Sequence, residues 1–129
     1  MGAIQEQLLL AADPELAAVA ARLSAGIVAL RRCVAYVVEH YRSDAKSVAA
    51  GAVPLLELFG IVAGGWQLAR AALAARKGLL QGSGDPGFLR AKLLTARFYA
   101  DHVLAQAPGL AETVVNGAAA VLAYTDDQF

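Results

Sequence analysis

Apolar side chains return every three or four residues through most of this chain, and period-two alternation never lasts more than a few positions. The first stripe is Leu16, Val19, Leu23, Ile27, Leu30, Val34, Val37 and Tyr41, about seven turns of one helical face. It opens on Asp13-Pro14-Glu15. The aspartate can accept hydrogen bonds from free amides, the proline suits the first helical position, and the glutamate complements the helix dipole. The pattern predicts a helix over residues 14–42.

A second stripe follows a cap at Ser43 or Asp44 and runs through Leu55, Phe59, Val62, Trp66, Ala69 and Leu73 toward Leu80, until the glycine-rich segment 81–87 stops it. This predicts a helix over 44–81, with a kink or break around residues 51–53. Pro54 lacks an amide and its ring would meet the carbonyl of Ala50. Gly60, Gly64 and Gly65 are poor helix formers, at about 0.8–1.0 kcal/mol each against alanine, so a neighbour packed close to that face is expected. The third stripe opens on Asp85-Pro86 and runs Leu89, Leu93, Ala96, Ala100, Val103, Ala107, Leu110, Val114, Gly117 and Val121. Its four-three spacing crosses Pro108 without a slip. One long helix over 86–124, bent near Pro108, is the reading adopted, with two shorter helices and a tight joint as the alternative. The residues before Asp13 are expected to form a short helix of their own.

Long helices joined by short turns are spatial neighbours and must alternate in direction. The expected fold is therefore all-α: an antiparallel up-and-down bundle of three long helices, kinked near Pro54 and Pro108, plus a short N-terminal helix, in one domain over residues 1–129. Abundant alanine and glycine at contact positions would bring helix axes toward the lower end of the usual range, about 8 Å.

Composition tests this picture. The chain is 58% hydrophobic with a mean hydropathy of +0.51. A spanning helix needs about 20 mostly apolar residues. Glu57 interrupts and Arg70 ends the apolar run from Ser47 to Ala69, so unusually extensive burial is expected in place of a membrane span. The start lacks a basic stretch before its apolar residues and carries Glu6 among them, which argues against a secretory leader. A single cysteine, Cys33, allows no internal disulfide and suits a reducing, cytoplasmic setting. Net charge is zero, yet all eleven basic residues lie between Arg22 and Arg97 against four acids there, so that span carries +7 and the flanks −7. The bases are scattered singly without interleaved aromatics, which argues against nucleic acid as a partner.

Few residues are arranged for chemistry. His40 and His102 fall on different predicted helices, without the Glu-x-x-His or His-Glu-x-x-His settings that helices use for metals. A histidine at a helix end, as His40 is, more often meets terminal carbonyls. The segment 82–87 lacks the preceding strand and the Lys-Ser/Thr ending of a phosphate loop and reads as a turn. The densest polar group is Lys92, Thr95, Tyr99 and His102, one stripe beside the apolar face of the third helix, with Arg97 among them. No carboxylate joins that stripe unless Glu57 faces it. It is read as an amphipathic boundary in preference to catalysis through Lys92, Tyr99 and His102; a docking face for another protein surface, anchored by Phe98, Tyr99 and Arg97, is the further possibility, and periodicity does not choose between boundary and docking face.

Two segments carry a family resemblance: "LFGIVAGGWQLARAALAA" at 58–75 and "FLRAKLLTARFYADHVLAQAPGLAETVVNGAAAVLA" at 88–123. With Ala91-Lys92, Thr95 to Ala100 and the upstream Gly64-Gly65-Trp66, the chain resembles the extra C-terminal helical domain that follows the flavin-containing core in a branch of acyl-CoA dehydrogenases. The likeness is good over 44–129 and looser over the first helix. It implies a parent enzyme that uses FAD to dehydrogenate acyl-CoA thioesters, with base and flavin site in domains this chain does not contain. No residue here is therefore assigned a catalytic, cofactor-binding or metal-binding role, and Lys92, Thr95, Arg97, Tyr99 and His102 are kept as a candidate interface. The implied partners are the catalytic domains of the parent or further copies of this chain. A free-standing helical adaptor or homo-oligomer is the rival reading.

Overall fold

The computed structural model describes residues 13–128, together with Ala3. The short helix expected before Asp13 lies outside the described residues. Among them every regular element is helical: α1 (Pro14–His40), α2 (Ala45–Ala50), α3 (Ala52–Gln81), α4 (Pro86–His102), α5 (Ala107–Asn116) and α6 (Ala118–Leu122), with 3₁₀ turns at Leu104–Gln106 and Asp126–Gln128. The expected all-α bundle is what forms. α3 runs its length beside α1, α4 packs on both, and α5 continues the third direction into the other end of the α1–α3 groove.

The entry signals work as their chemistry requires. Asp13 accepts from the Glu15 amide at 2.9 Å and also meets Arg76 Nε at 3.1 Å, tying the start of α1 to the last turns of α3. Asp85 accepts from the amides of Gly87 (3.0 Å) and Phe88 (3.3 Å). At the end of α3, Gly82 takes the left-handed conformation (φ 64°) that a side chain disfavours, and the chain reverses there. His40 closes α1 by donating from Nδ1 to the Tyr36 carbonyl at 2.9 Å.

Both internal prolines act one step earlier than a bend at the ring. The predicted helix 44–81 breaks at Gly51, and Pro54 sits in the first turn of α3. The predicted helix 86–124 is not continuous: it stops at His102, turns through Leu104–Gln106, and restarts so that Pro108 lies in the first turn of α5. A proline in the first turn loses no intrahelical bond, and the carbonyl four residues back is freed from the helix it would have obstructed.

The interruption also corrects the register. The third stripe holds at Leu93, Ala96, Ala100, Ala107 and Val114, whereas Leu104, Ala111 and Ala118 are buried in place of their stripe neighbours Val103, Leu110 and Gly117. Val103 and Leu110 are only half-buried and Val121 is exposed. The tight 3₁₀ turn rotates the face by less than one position, so that Ala107 and Val114 stay buried. Leu104, 1% exposed, becomes the central plug. It reaches Gly65 so closely that a β-carbon there would lie 2.7 Å from Leu104 Cδ1, and it also rests near Gly26. At Gly64 the neighbour is the Tyr99 ring. The close neighbour expected along the glycine face is thus present at Gly64 and Gly65, whereas Gly60 faces open space.

Candidate interface surfaces

The polar stripe on α4 does not converge on a reacting centre. Tyr99 turns inward, half-buried, and donates its hydroxyl to the Ile61 carbonyl of α3 at 3.1 Å; burial pushes its pKa up. Lys92 is exposed with Nζ 5.0 Å above the Phe88 ring, Thr95 donates to the Ala91 carbonyl at 2.8 Å, and Arg97 pairs with Asp101 at 2.5 Å. His102 is exposed and stacks on Phe98 with ring centroids 4.4 Å apart. Glu57 is exposed on α3, and among the described residues neither it nor any other acid hydrogen-bonds to Tyr99 or His102. The five residues therefore split: Tyr99 serves the α3–α4 contact, Arg97 and Thr95 bond within their own helix, and Lys92 and His102 lie over neighbouring phenyl rings.

Cys33 is an interior thiol, its sulfur 3.9 Å from the Ala111 carbonyl oxygen. Burial pushes its pKa up, and the nearby Arg32 opposes this only in part. A thiol so held is a poor nucleophile. Trp66 Nε1 is buried without a hydrogen-bond partner, and Arg70 lies over its ring at 5.2 Å. Among the described residues no group of three or more His, Cys, Asp or Glu side chains comes together.

What the surface does offer is apolar. Leu94 and Phe98 (62% exposed) stand one turn apart on the outward face of α4, and Val53, Leu56 (75% exposed) and Phe59 stand on the outward face of α3. A shallow groove of about 480 Å³ runs along α1, lined by Ile27, Leu30, Arg31, Val34, Ala35 and Val38. A second, of about 330 Å³, lies between α1 and α5, with Val28, Arg32, Pro108 and Ala111 in its walls. Each groove has a single charged side chain. Neither provides the convergent polar groups that a dinucleotide's ribose and pyrophosphate require, so the residues lining these two grooves do not fit the flavin implied for the parent. Val34 and Phe59 fall in stripes that the sequence pattern sets toward the core, and the structure leaves both exposed; Val28, Val38, Leu56, Leu94 and Phe98 lie beside those stripes and are exposed with them. The i, i+4 pair Leu94 and Phe98 was the available signal.

α3 is long and apolar enough to cross a membrane by length and composition. In the bundle its Leu58, Ile61, Val62, Gly65, Ala69 and Ala72 are buried. One or two helices of this kind also occur in the cores of soluble proteins.

Comparison with known proteins places the fold in a family. The 3-methylmercaptopropionyl-CoA dehydrogenase of Ruegeria pomeroyi is 48% identical over 63 residues, which are 49% of this chain and 10% of that enzyme. The chain thus corresponds to a small part of a much longer relative. No solved structure matches it. The family described as acetyl-CoA dehydrogenase C-terminal like matches residues 1–125, nearly the whole chain, and the chain belongs to that family: it is a C-terminal helical domain of the acyl-CoA dehydrogenase kind.

Proposed function

We propose that this chain is the non-catalytic helical domain of a longer, FAD-dependent acyl-CoA dehydrogenase, acting in the cytoplasm, and that it packs its exposed α4 and α3 surfaces against the catalytic part of that enzyme. The observation that carries this reading is the apolar pair Leu94 and Phe98, exposed on a helix of a chain that belongs to an enzyme's C-terminal family and holds no converging acid–base group among the described residues. Large exposed apolar patches mark contact sites, and aromatic side chains are the usual anchors. The interior thiol of Cys33 supports the reducing location, and the burial of one face of α3 supports a bundle helix in place of a membrane span.

The test mixes the purified chain with the flavin-containing part of an acyl-CoA dehydrogenase from the same source, prepared without this domain. Co-sedimentation is expected, with flavin absorbance confined to the larger component. Leu94→Asp with Phe98→Asp should abolish it while helicity is kept. Stoichiometric FAD binding by the chain alone, or acyl-CoA dehydrogenation by it, would overturn the reading.

A further inference from the structure

Asn116 is the single asparagine of the chain, and Gly117 follows it. The pair stands at the joint between α5, which ends at Asn116, and the five-residue α6, which begins at Ala118. Asn116 is exposed, and α6 rests on α2 with only Ala118 buried. Asparagine followed by glycine is intrinsically reactive, because no side chain on the glycine crowds the approach of its backbone nitrogen to the asparagine amide carbon. Two hydrogen bonds restrain the pair here. The Gly117 amide donates to the Thr113 carbonyl at 2.9 Å, and Asn116 Nδ2 donates to Glu112 Oε1. The other carboxylate oxygen of Glu112 accepts from Arg32 of α1 at 2.9 Å.

We propose that Asn116–Gly117 is a site of spontaneous deamidation, gated by opening of the joint between α5 and α6. While the joint is closed, the Gly117 amide is engaged with Thr113 and the helical turn keeps its nitrogen away from the Asn116 amide carbon. Release of α6 removes that restraint at small cost, since a helix of five residues does not hold itself together and one buried alanine anchors it. Hydroxide then takes the Gly117 amide proton, the nitrogen bonds to Asn116 Cγ, and the Cγ–Nδ2 bond breaks. The leaving nitrogen draws a proton from water and departs as ammonia. Water opens the resulting cyclic imide at either carbonyl, giving aspartate or isoaspartate; water is consumed, ammonia is released, and nothing is oxidised or reduced. The product alters the tie between α5 and α1. Aspartate at this position sets a second carboxylate one turn from Glu112 where a donor stood, and isoaspartate adds a backbone carbon at the joint, so that the Gly117 amide no longer meets Thr113 in the same way. The reaction uses neither flavin nor a catalytic partner and does not depend on the function proposed above.

The test incubates the full, folded chain at mildly alkaline pH and follows it by intact mass and peptide mapping, with far-UV circular dichroism as the check on folding. The mass gain of replacing NH₂ by OH is expected at residue 116 alone, as a mixture of aspartate and isoaspartate, at a rate that rises with pH. In urea the same site should react about tenfold faster, which sets the cost of opening the joint at about 1.4 kcal/mol. Ala118→Gly, which loosens α6, should raise the rate in the folded chain up to about fivefold and leave the rate in urea unchanged. Asn116→Gln should keep its amide over the same period. Asn116→Asp, the product made directly, should lower the folding equilibrium constant about twofold at low salt and by less at high salt. A folded chain that keeps its amide while the unfolded chain loses it would overturn the proposal. So would equal rates in the folded and unfolded chain, a rate indifferent to Ala118→Gly, or an Asn116→Asp chain as stable as the natural one.

Discussion

The interior and the outward faces of this bundle divide its side chains contrary to size. Among the described residues ten of the 21 buried hydrophobic ones are alanines, whereas Phe59, Phe88, Phe98, Leu56, Leu80 and Leu94 are exposed. Alanine buries little area, and apolar burial is worth about 25 cal/mol per Å². An interior rich in alanine therefore gains its cohesion from backbones brought close together and from a few large plugs, chiefly Leu16, Leu23, Leu58 and Leu104. The large residues outside contribute little to the fold until something covers them. The contrast teaches that the chain's stability and its capacity to associate reside in different residues, and each can be altered alone.

The largest effect is expected at the central plug. Leu104→Ala removes a side chain that is 1% exposed and seated between α1 and α3, and should cost about 2–5 kcal/mol in thermal or chemical denaturation. Next comes the opposite error at the same place. Gly65→Val forces atoms into the space held by the Leu104 methyls and should cost about 1–3 kcal/mol. The pair can be sharpened into a cycle: Gly65→Ala should destabilise the natural chain and be better tolerated alongside Leu104→Ala, because the obstructing methyls are gone.

Tyr99→Phe is expected to be milder, about 0.5–1.5 kcal/mol at neutral pH, for the lost hydrogen bond to the Ile61 carbonyl. Its pH dependence has a definite sign. Burial raises the phenol's pKa in the folded chain, so the neutral form is the one the fold favours. That contribution is intact below the ordinary tyrosine value of about 10 and is lost as pH rises through the folded value. Denaturation measured across this range should fall more steeply for the natural chain than for Tyr99→Phe. Smallest of all, Phe98→Ser should change stability by no more than about 0.5 kcal/mol, yet weaken co-sedimentation with a catalytic part. A large loss of stability from Phe98→Ser would break the division between the two regions.

Much of the fold was legible in advance because the signals were local. Asp13-Pro14 and Asp85-Pro86 mark helix starts through the amides they cap, and Gly82 marks an end through its left-handed backbone. Beyond Ala100 the register was legible only in part, at Ala107 and Val114. The 3₁₀ turn at Leu104–Gln106 brings Leu104, Ala111 and Ala118 inward in place of Val103, Leu110 and Gly117, and an apolar-rich stretch carries no mark of that choice. The polar residues of α4 were located correctly on one helix, but their partners were decided elsewhere: Tyr99 by the glycine on α3 that admits it, His102 by the ring of Phe98.

By itself, the sequence determined that this protein is helical, where the helices capped by Asp13 and Asp85 begin, and which family it joins, because caps, breakers and the Ala91 to Ala100 run act or are recognised within a few residues of themselves. Only the tertiary structure decided that Leu104 fills the centre, that Tyr99 faces inward, and that the valines of α1 and the phenylalanines of α3 and α4 face outward. Those outcomes depend on which face each helix presents to the others. A periodic sequence with two apolar stripes does not distinguish the stripe that meets its neighbours from the one that is left for a partner.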